Sequence, residues 1–343
     1  MSCTVLKIPG VGNIILDCGE GSLAYLKRHL PPSEYLEFFR NLRTIFVSHL
    51  HADHHLGIIG LIREYATIQN ALPLDKRQPL FIVGPWRIFN SLYEYNEVEN
   101  IHIDEYVIPF HSYDLMPARL LPPSSKVQNL DQELFQGFLS ELNLHSFETC
   151  YVPHCPQSYG VAITHKSGWK IVYSGDCRPS GDLVEIGRGA TVVIHEATVA
   201  DTQPQDALDK MHCTTAQAIM IGKRMNARYI LLTHFSQKWS RVPEFVIDWD
   251  RHKHEHEKYG NVGIAFDHMT VKLGEMWKLP LMYDAFEVMY KDEKERKYYI
   301  RLKGEKEDGN GTEGDSSKDT EEPASKRRKI DREITGMTME AGQ

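Results

Sequence analysis

Thr44-Ile45-Phe46-Val47-Ser48-His49-Leu50-His51-Ala52-Asp53-His54-His55 is the stretch on which the reading of this chain turns. Its first four residues are an apolar run of the kind that forms a buried strand. Histidine occurs 17 times in 343 residues, so a seven-residue window holds about 0.35 by chance. His49 to His55 contains four. In extended backbone, alternate side chains point the same way, so His49 and His51 can reach one metal ion. Asp53 and His54, beyond a turn, are placed to reach a second. Neutral imidazole and carboxylate suit Zn2+, and they also accept Mn2+ or Fe2+. Two such ions about 3.5–4 Å apart polarise a phosphoryl oxygen and lower the pKa of a shared water.

Upstream, Thr4-Val5-Leu6 and Asn13-Ile14-Ile15-Leu16 read as strands joined by a turn at Pro9-Gly10-Val11-Gly12. Helical patterns follow over Ser22–His29 and Ser33–Leu42. Downstream, Ile58–Gln69 reads as helix, Leu80–Val83 as a strand closed by Gly84-Pro85, and Arg87–Tyr95 as helix again. Tyr159–Thr164 and Trp169–Tyr173 flank Lys166-Ser167-Gly168 as a hairpin. Thr191–Ile194 ends at His195-Glu196, and Tyr229–Leu232 ends at Thr233-His234. Thr214 and Thr215 are placed to cap a helix reaching Asn226. Residues 96–148 allow only a mixed assignment. Polar residues thus recur where buried strands stop, as they do in sheet-based enzymes.

The chain is 41% hydrophobic and 25% charged, ordinary globular usage with enough apolar material for one large core. No stretch reaches the roughly 18 apolar residues of a membrane span, so no membrane association is expected. The formal charge of −8 argues against a uniformly basic nucleic-acid surface. Most of that charge lies between Gly304 and Ser325, in a segment too poor in apolar residues to offset its ordering entropy. We expect a folded domain over 1–290, an extension over 291–303 and a disordered tail over 304–343. Within the tail, Lys326-Arg327-Arg328-Lys329 matches what a nuclear import receptor reads, and equally a solvated charge cluster. The cysteines, Cys150 and Cys155 included, read as reduced structural residues.

The order His49-x-His51-x-Asp53-His54 resembles the signature of the metallo-β-lactamase superfamily. That resemblance implies an α/β fold, an αββα sandwich, with further ligands at the ends of later strands. His154 in Val152-Pro153-His154-Cys155, Asp176 in Tyr173-Ser174-Gly175-Asp176 and His234 in Thr233-His234-Phe235-Ser236 stand at the matching positions. It implies that one ion takes His49, His51 and His154, that the other takes Asp53, His54 and His234, and that Asp176 bridges. Asp17, in Leu16-Asp17-Cys18-Gly19, resembles the aspartate that orients ligands from behind.

Within the superfamily, His195-Glu196-Ala197-Thr198 matches the HEAT motif of ribonuclease Z. His212-Cys213-Thr214 resembles its His-Ser-Thr motif with cysteine in the middle. Over residues 2–275 the chain is similar to the catalytic C-terminal half of long-form ribonuclease Z. The implied reaction removes the 3′ trailer from precursor tRNA, with two Zn2+ ions, His212 as general acid oriented by Glu196, and Asp53 helping to position or deprotonate the water. For long forms the resemblance implies a monomer. The family's tRNA-gripping arm does not fit between His154 and Asp176. Its Pro-x-Lys-x-Arg-Asn loop and the fold's first strand are expected upstream of Met1. A chain lacking them is expected to bind tRNA weakly and to turn it over only at low salt. Two other readings stay open: a tRNA-processing fragment that holds metal without cleaving, and a small-molecule metallohydrolase of the glyoxalase type, against which the HEAT motif weighs. A nucleus destination follows from the basic run, mitochondrion from any upstream presequence, and cytosol otherwise.

Overall fold

A computed structural model describes residues 2–121, 130–236, 260–283 and 285–286. Strands β1 (Thr4–Ile8) and β2 (Gly12–Leu16) form an antiparallel hairpin in which Ile8 pairs with Gly12. Gly10 turns the corner at φ +73, a conformation glycine adopts without penalty. There follow α1 (Ser22–His29), α2 (Pro32–Arg40), β3 (Leu42–Phe46), the single turn α3 (Ala52–His55), α4 (Ile58–Asn70), β4 (Leu80–Gly84), α5 (Trp86–Val98), α6 (Ile103–Tyr106) and β5 (Val107–His111). The five strands lie in the order β1-β2-β3-β4-β5, parallel from β2 onward.

After α7 (Gln132–Glu141) come β6 (Leu144–Tyr151), β7 (Tyr159–His165), β8 (Lys170–Tyr173), α8 (Gly181–Gly187), β9 (Val192–Glu196), α9 (Pro204–Asp209), α10 (Thr215–Arg224), β10 (Tyr229–Thr233) and β11 (Val262–Ile264). Among the described residues six strands form the second sheet, in the order β11-β10-β9-β8-β7-β6. Thr214 caps α10 by accepting from the Gln217 backbone, while the Gln217 side chain accepts from the Thr214 N–H.

Strand alternation sorts the apolar residues into three cores. Ile15, Ile45 and Ile82 face Leu26, Phe38, Leu61 and Ile88 of the first helical layer. Their neighbours Ile14, Leu16, Phe46 and Val83 turn the other way, onto Phe147, Val161, Ile163 and Tyr173 of the second sheet. Val172, Val193, Ile230 and Leu232 cover the far face of that sheet, against Leu183, Ile186, Ala218 and Ile221. The result is the αββα sandwich. Each fully buried large apolar side chain contributes roughly 1.5–3 kcal/mol, so the two facing sheets form a rigid platform for whatever leaves their edges.

Several boundaries differ from expectation; α5 runs over Trp86–Val98 rather than Arg87–Tyr95 and β10 through Thr233 rather than Leu232, and three others have a clear cause. The helix expected through Leu42 ends at Arg40, because Leu42 already pairs with Asn13 in the sheet. The strand expected to stop at Ile194 runs through Glu196, because His195 and Glu196 pair with Leu232 and Thr233. The helix expected to reach Asn226 ends at Arg224, and Asn226 takes a left-handed φ of 54. Among the described residues no helix is long and apolar enough to cross a membrane. The expected extension at 291–303 and the tail at 304–343, with Lys326-Arg327-Arg328-Lys329, lie outside the described residues.

Candidate metal centre

The candidate ligands leave the strands at one end of the sandwich. Beyond β3 the chain stays pinned to its neighbours: Val47 N–H donates to Val83 O at 2.8 Å, and Tyr159 N–H donates to Ser48 O at 2.9 Å. That second bond ties the His49 segment to the loop carrying His154. The 52–57 turn is held against residues 17–20 by bonds from Cys18 N–H to His54 O (2.7 Å) and from Gly57 N–H to Cys18 O (2.9 Å). Glycine is required here by proximity: a Cβ on Gly19 would stand 2.0 Å from Asp53 O, and one on Gly57 2.3 Å from Gly19 O.

The expected ligands converge. His49, His51 and His154 bring their ligand atoms within 4.8 Å of one another, and so do Asp53, His54 and His234. Asp176 lies between the two sets. Its Oδ2 is 3.3 Å from His54 Nε2 and 4.0 Å from both His49 Nε2 and His154 Nε2, while its Oδ1 is 3.4 Å from His234 Nε2. His55 is turned away, with its Nδ1 bonded to His51 O.

Hydrogen bonds behind the cluster choose the tautomers. The buried Asp17, at φ 58, accepts from Ser48 N–H and Oγ, His54 Nδ1 and the Tyr173 hydroxyl, each at 2.7 Å. Ser48 Oγ, having donated to Asp17, accepts from His49 Nδ1 at 2.9 Å. Met211 O accepts from His154 Nδ1 at 2.8 Å. Thr198 Oγ1 donates to Glu196 Oε2 and accepts from His234 Nδ1 at 2.9 Å. In each of these four imidazoles the outward nitrogen is occupied, which turns Nε2 into the cluster. His51 presents Nδ1 instead, 3.1 Å from His154 Nε2.

Charge state follows from the same contacts. Burial, then the neighbouring His54, push His49 down to about 3, and burial lowers His154. Burial also opposes charge on His54, but the Asp17 carboxylate outweighs it and pushes that imidazole up to about 12. His234 is raised as well, the Asp176 charge overcoming its burial. Hydrogen bonds from His234 and His54 hold Asp53 far below the usual carboxylate range. In Asp176 burial is outweighed by His234 and His54, with the same result.

A metal fits these residues. His49 Nε2 and Asp176 Oδ1 are buried without a hydrogen-bond partner, and such orphans cost about 1–3 kcal/mol each unless something else satisfies them. Both atoms face the imidazole cluster, and the donor set of imidazoles and carboxylates is one that divalent ions accept.

Beside the cluster, His212 Nδ1 donates to Glu196 Oε1 at 3.0 Å and lies 4.0 Å from Asp176 Oδ2. Glu196 is 1% exposed and also accepts from the backbones of Cys177, Cys213 and Thr198. It thus ties the Asp176 and His212 loops together. Several supporting contacts escape a reading by motif. Ser48 and Thr198 link strand ends within one sheet, while the Tyr173 hydroxyl crosses to Asp17 in the other; the signals were the place of Ser48 beside His49 and of Tyr173 and Thr198 inside the Asp176 and HEAT motifs. Cys155 stands with His49, His51 and His154, whereas Cys150 belongs to the core.

The profile of a family described as anti-Pycsar protein Apyc1 matches residues 3–245. The zinc phosphodiesterase ELAC protein 2 of Rattus norvegicus is 37% identical over 309 residues, which is 89% of this chain and 35% of that relative. A long-form RNase Z from yeast superposes with a TM-score of 0.70 at 25% identity, covering 83% of this chain and 40% of the yeast chain. The human short-form tRNase Z superposes with a TM-score of 0.57 at 25% identity, over 79% of this chain and 92% of the human one. The chain spans well under half the length of the curated relatives it matches. The sandwich has its counterpart in those structures, and the chain belongs to the family described as anti-Pycsar protein Apyc1, with the metallo-β-lactamase fold, as a homologue of the ribonuclease Z enzymes.

Proposed function

We propose that this chain is a metal-dependent phosphodiesterase that removes the 3′ trailer from precursor tRNA, working with two Zn2+ ions. His49, His51 and His154 hold one ion, Asp53, His54 and His234 hold the other, and Asp176 serves both. The observation that carries the reading is Asp176 between the two sets, with a histidine–glutamate pair 4.0 Å from its carboxylate. When bound, the ions supply Lewis-acid polarisation of a phosphoryl oxygen and a water of lowered pKa.

The chain's own groups supply the rest. Asp53, with 47% of its side chain exposed, orients the attacking water and accepts its proton. The water oxygen bonds to phosphorus as the bond from phosphorus to the ribose 3′ oxygen breaks. His212, held by Glu196, gives its proton to that departing oxygen, leaving a 3′-hydroxyl on the tRNA and a phosphate on the trailer. Positioned proton transfer of this kind contributes about 10²–10⁴-fold. The basic run Lys326–Lys329 supports the nucleus as the place of action.

End-labelled precursor tRNA incubated with the full chain and Zn2+ tests the proposal. Cleavage after the discriminator base is expected, with His212→Ala slower by about 10²–10⁴-fold at unchanged metal content. A protein loaded with metal that leaves the precursor intact would overturn it.

A further inference from the structure

A cavity of about 400 Å³ opens against the loop that carries His154, lined by Trp86, His111, Tyr113, Asp114, Tyr151, Gln157 and Tyr159. Its walls come from the start of α5, the ends of β5, β6 and β7, and the turns that carry Tyr113 and Gln157. Trp86 opens α5 just after β4, His111 closes β5, and Tyr151 and Tyr159 face each other across the β6–β7 pair. The loop between them carries both His154 and Gln157. The backbone bond from Tyr159 to Ser48 joins this cavity to the segment that delivers His49.

Its surface is largely aromatic. The Tyr159 ring is buried and stacks on Tyr151 with centroids 4.7 Å apart and 27° between planes. Tyr151 is 40% exposed and Trp86 45% exposed. Monomeric proteins leave such large rings in water less often than they bury them. Arg87 lies over the Trp86 ring at 5.6 Å, placing a positive charge at the rim. Gln157 takes a left-handed φ of 64, and its Oε1 is buried without a hydrogen-bond partner. That oxygen is an acceptor in want of an N–H donor.

We propose that this cavity is a nucleobase subsite. It takes one base of the single-stranded RNA next to the scissile phosphate, stacked against Tyr151 and Trp86, with a ring or exocyclic N–H donated to Gln157 Oε1. Arg87 then lies close to the strand's own phosphate. Stacking faces tolerate any base, since every base has a π-face, and all four carry an N–H that a lone acceptor can take. The cavity therefore selects for an unpaired base rather than for a sequence. This inference rests on the RNA-cleavage reading above.

Two measurements on the full chain separate the two ideas. First, short single strands carrying 2-aminopurine at successive positions are titrated into the protein without added metal. Quenching at one position is expected, lost in Trp86→Ala and Tyr151→Ala and kept in Tyr151→Phe; no quenching at any position overturns the subsite. Second, KM and kcat are measured on precursor tRNA with an intact or an abasic nucleotide at each position flanking the cut. Removing the base at one position and removing a ring are each expected to raise KM about 5- to 150-fold, and the two losses should not add. If the parent cleaves the precursor and the losses add in full, the subsite fails while the cleavage reading stands. If the parent does not cleave, the cleavage reading fails, and the 2-aminopurine titration alone decides the subsite.

Discussion

Replacing Asp17 with asparagine tests how the metal centre is held. Asparagine tolerates the left-handed backbone at this position, φ 58, and has the same shape, so the change is confined to one oxygen. Asp17 Oδ1 accepts from Ser48 N–H, a bond the amide oxygen retains. Oδ2 accepts from Ser48 Oγ, His54 Nδ1 and the Tyr173 hydroxyl, each at 2.7 Å, and in the variant all three donors face an NH₂ group. Both hydroxyls can rotate and become acceptors. His54 Nδ1 can accept only if it gives up its proton, which leaves the ring's remaining proton on Nε2, the atom 3.3 Å from Asp176 and 3.2 Å from His234. The variant therefore either loses a charge-assisted hydrogen bond in the core or fixes a proton on a metal-facing nitrogen.

The first outcome costs about 1.5–3 kcal/mol of stability in the ion-free protein. Either outcome costs metal affinity, and removing a partner of this kind typically weakens binding by about 10- to 100-fold, which is about 1.4–2.8 kcal/mol. Competition for Zn2+ with a chromophoric chelator at pH 7 reads the affinity, and urea denaturation of the ion-free protein reads the stability. An Asp17→Asn protein that binds zinc within about twofold of the parent would refute the tautomer argument, whatever its stability.

Two further outcomes follow from the same geometry. Gly19→Ala drives a methyl group to 2.0 Å from Asp53 O, a backbone atom that yields only if the Asp53–His54 turn moves; we expect metal content to fall and the urea midpoint to drop. Gly137→Ala in α7, with nothing within 4 Å, is the control and should instead gain about 0.4–1 kcal/mol. The second outcome concerns protons. His54 sits at about 12 in the folded ion-free chain against 6.5 for an ordinary histidine. Its contribution to stability is complete below about pH 6.5 and is lost as pH rises toward 12, whereas those of Asp53 and Asp176, whose carboxyls are lowered, are lost in acid. Zinc binding at pH 7.5 must then displace the His54 proton, and calorimetry in two buffers of different ionisation enthalpy should show proton release; none at all would refute the assignment.

Much of this was legible along the chain because it is local. The alternation of Ile14, Ile15 and Leu16 assigns sheet faces residue by residue, and the density of imidazoles in His49 to His55 marks a candidate metal site before any contact is known. His154, Asp176, His212 and His234 were reachable through their motifs and their order. Strand ends were less legible, since nothing within Val192–Glu196 says that pairing with β10 carries the strand through His195 and Glu196.

Only the tertiary structure decided how the ligands are armed. Ser48 relays Asp17 to His49, Thr198 relays Glu196 to His234, and Met211 O orients His154. The links from Asp17 to Ser48, from Thr198 to His234 and from Met211 to His154 span 31, 36 and 57 residues and form only because the fold brings those strand ends and loops together. The aromatic cavity has the same origin, as Trp86, His111 and Tyr151 share no pattern until the ends of β4 and β5 in the first sheet meet the end of β6 in the second. Sequence determined which residues can bind a metal because ligand chemistry belongs to side chains. Folding decided which nitrogen each histidine presents, because a tautomer is set by the hydrogen bond made on the other side of the ring.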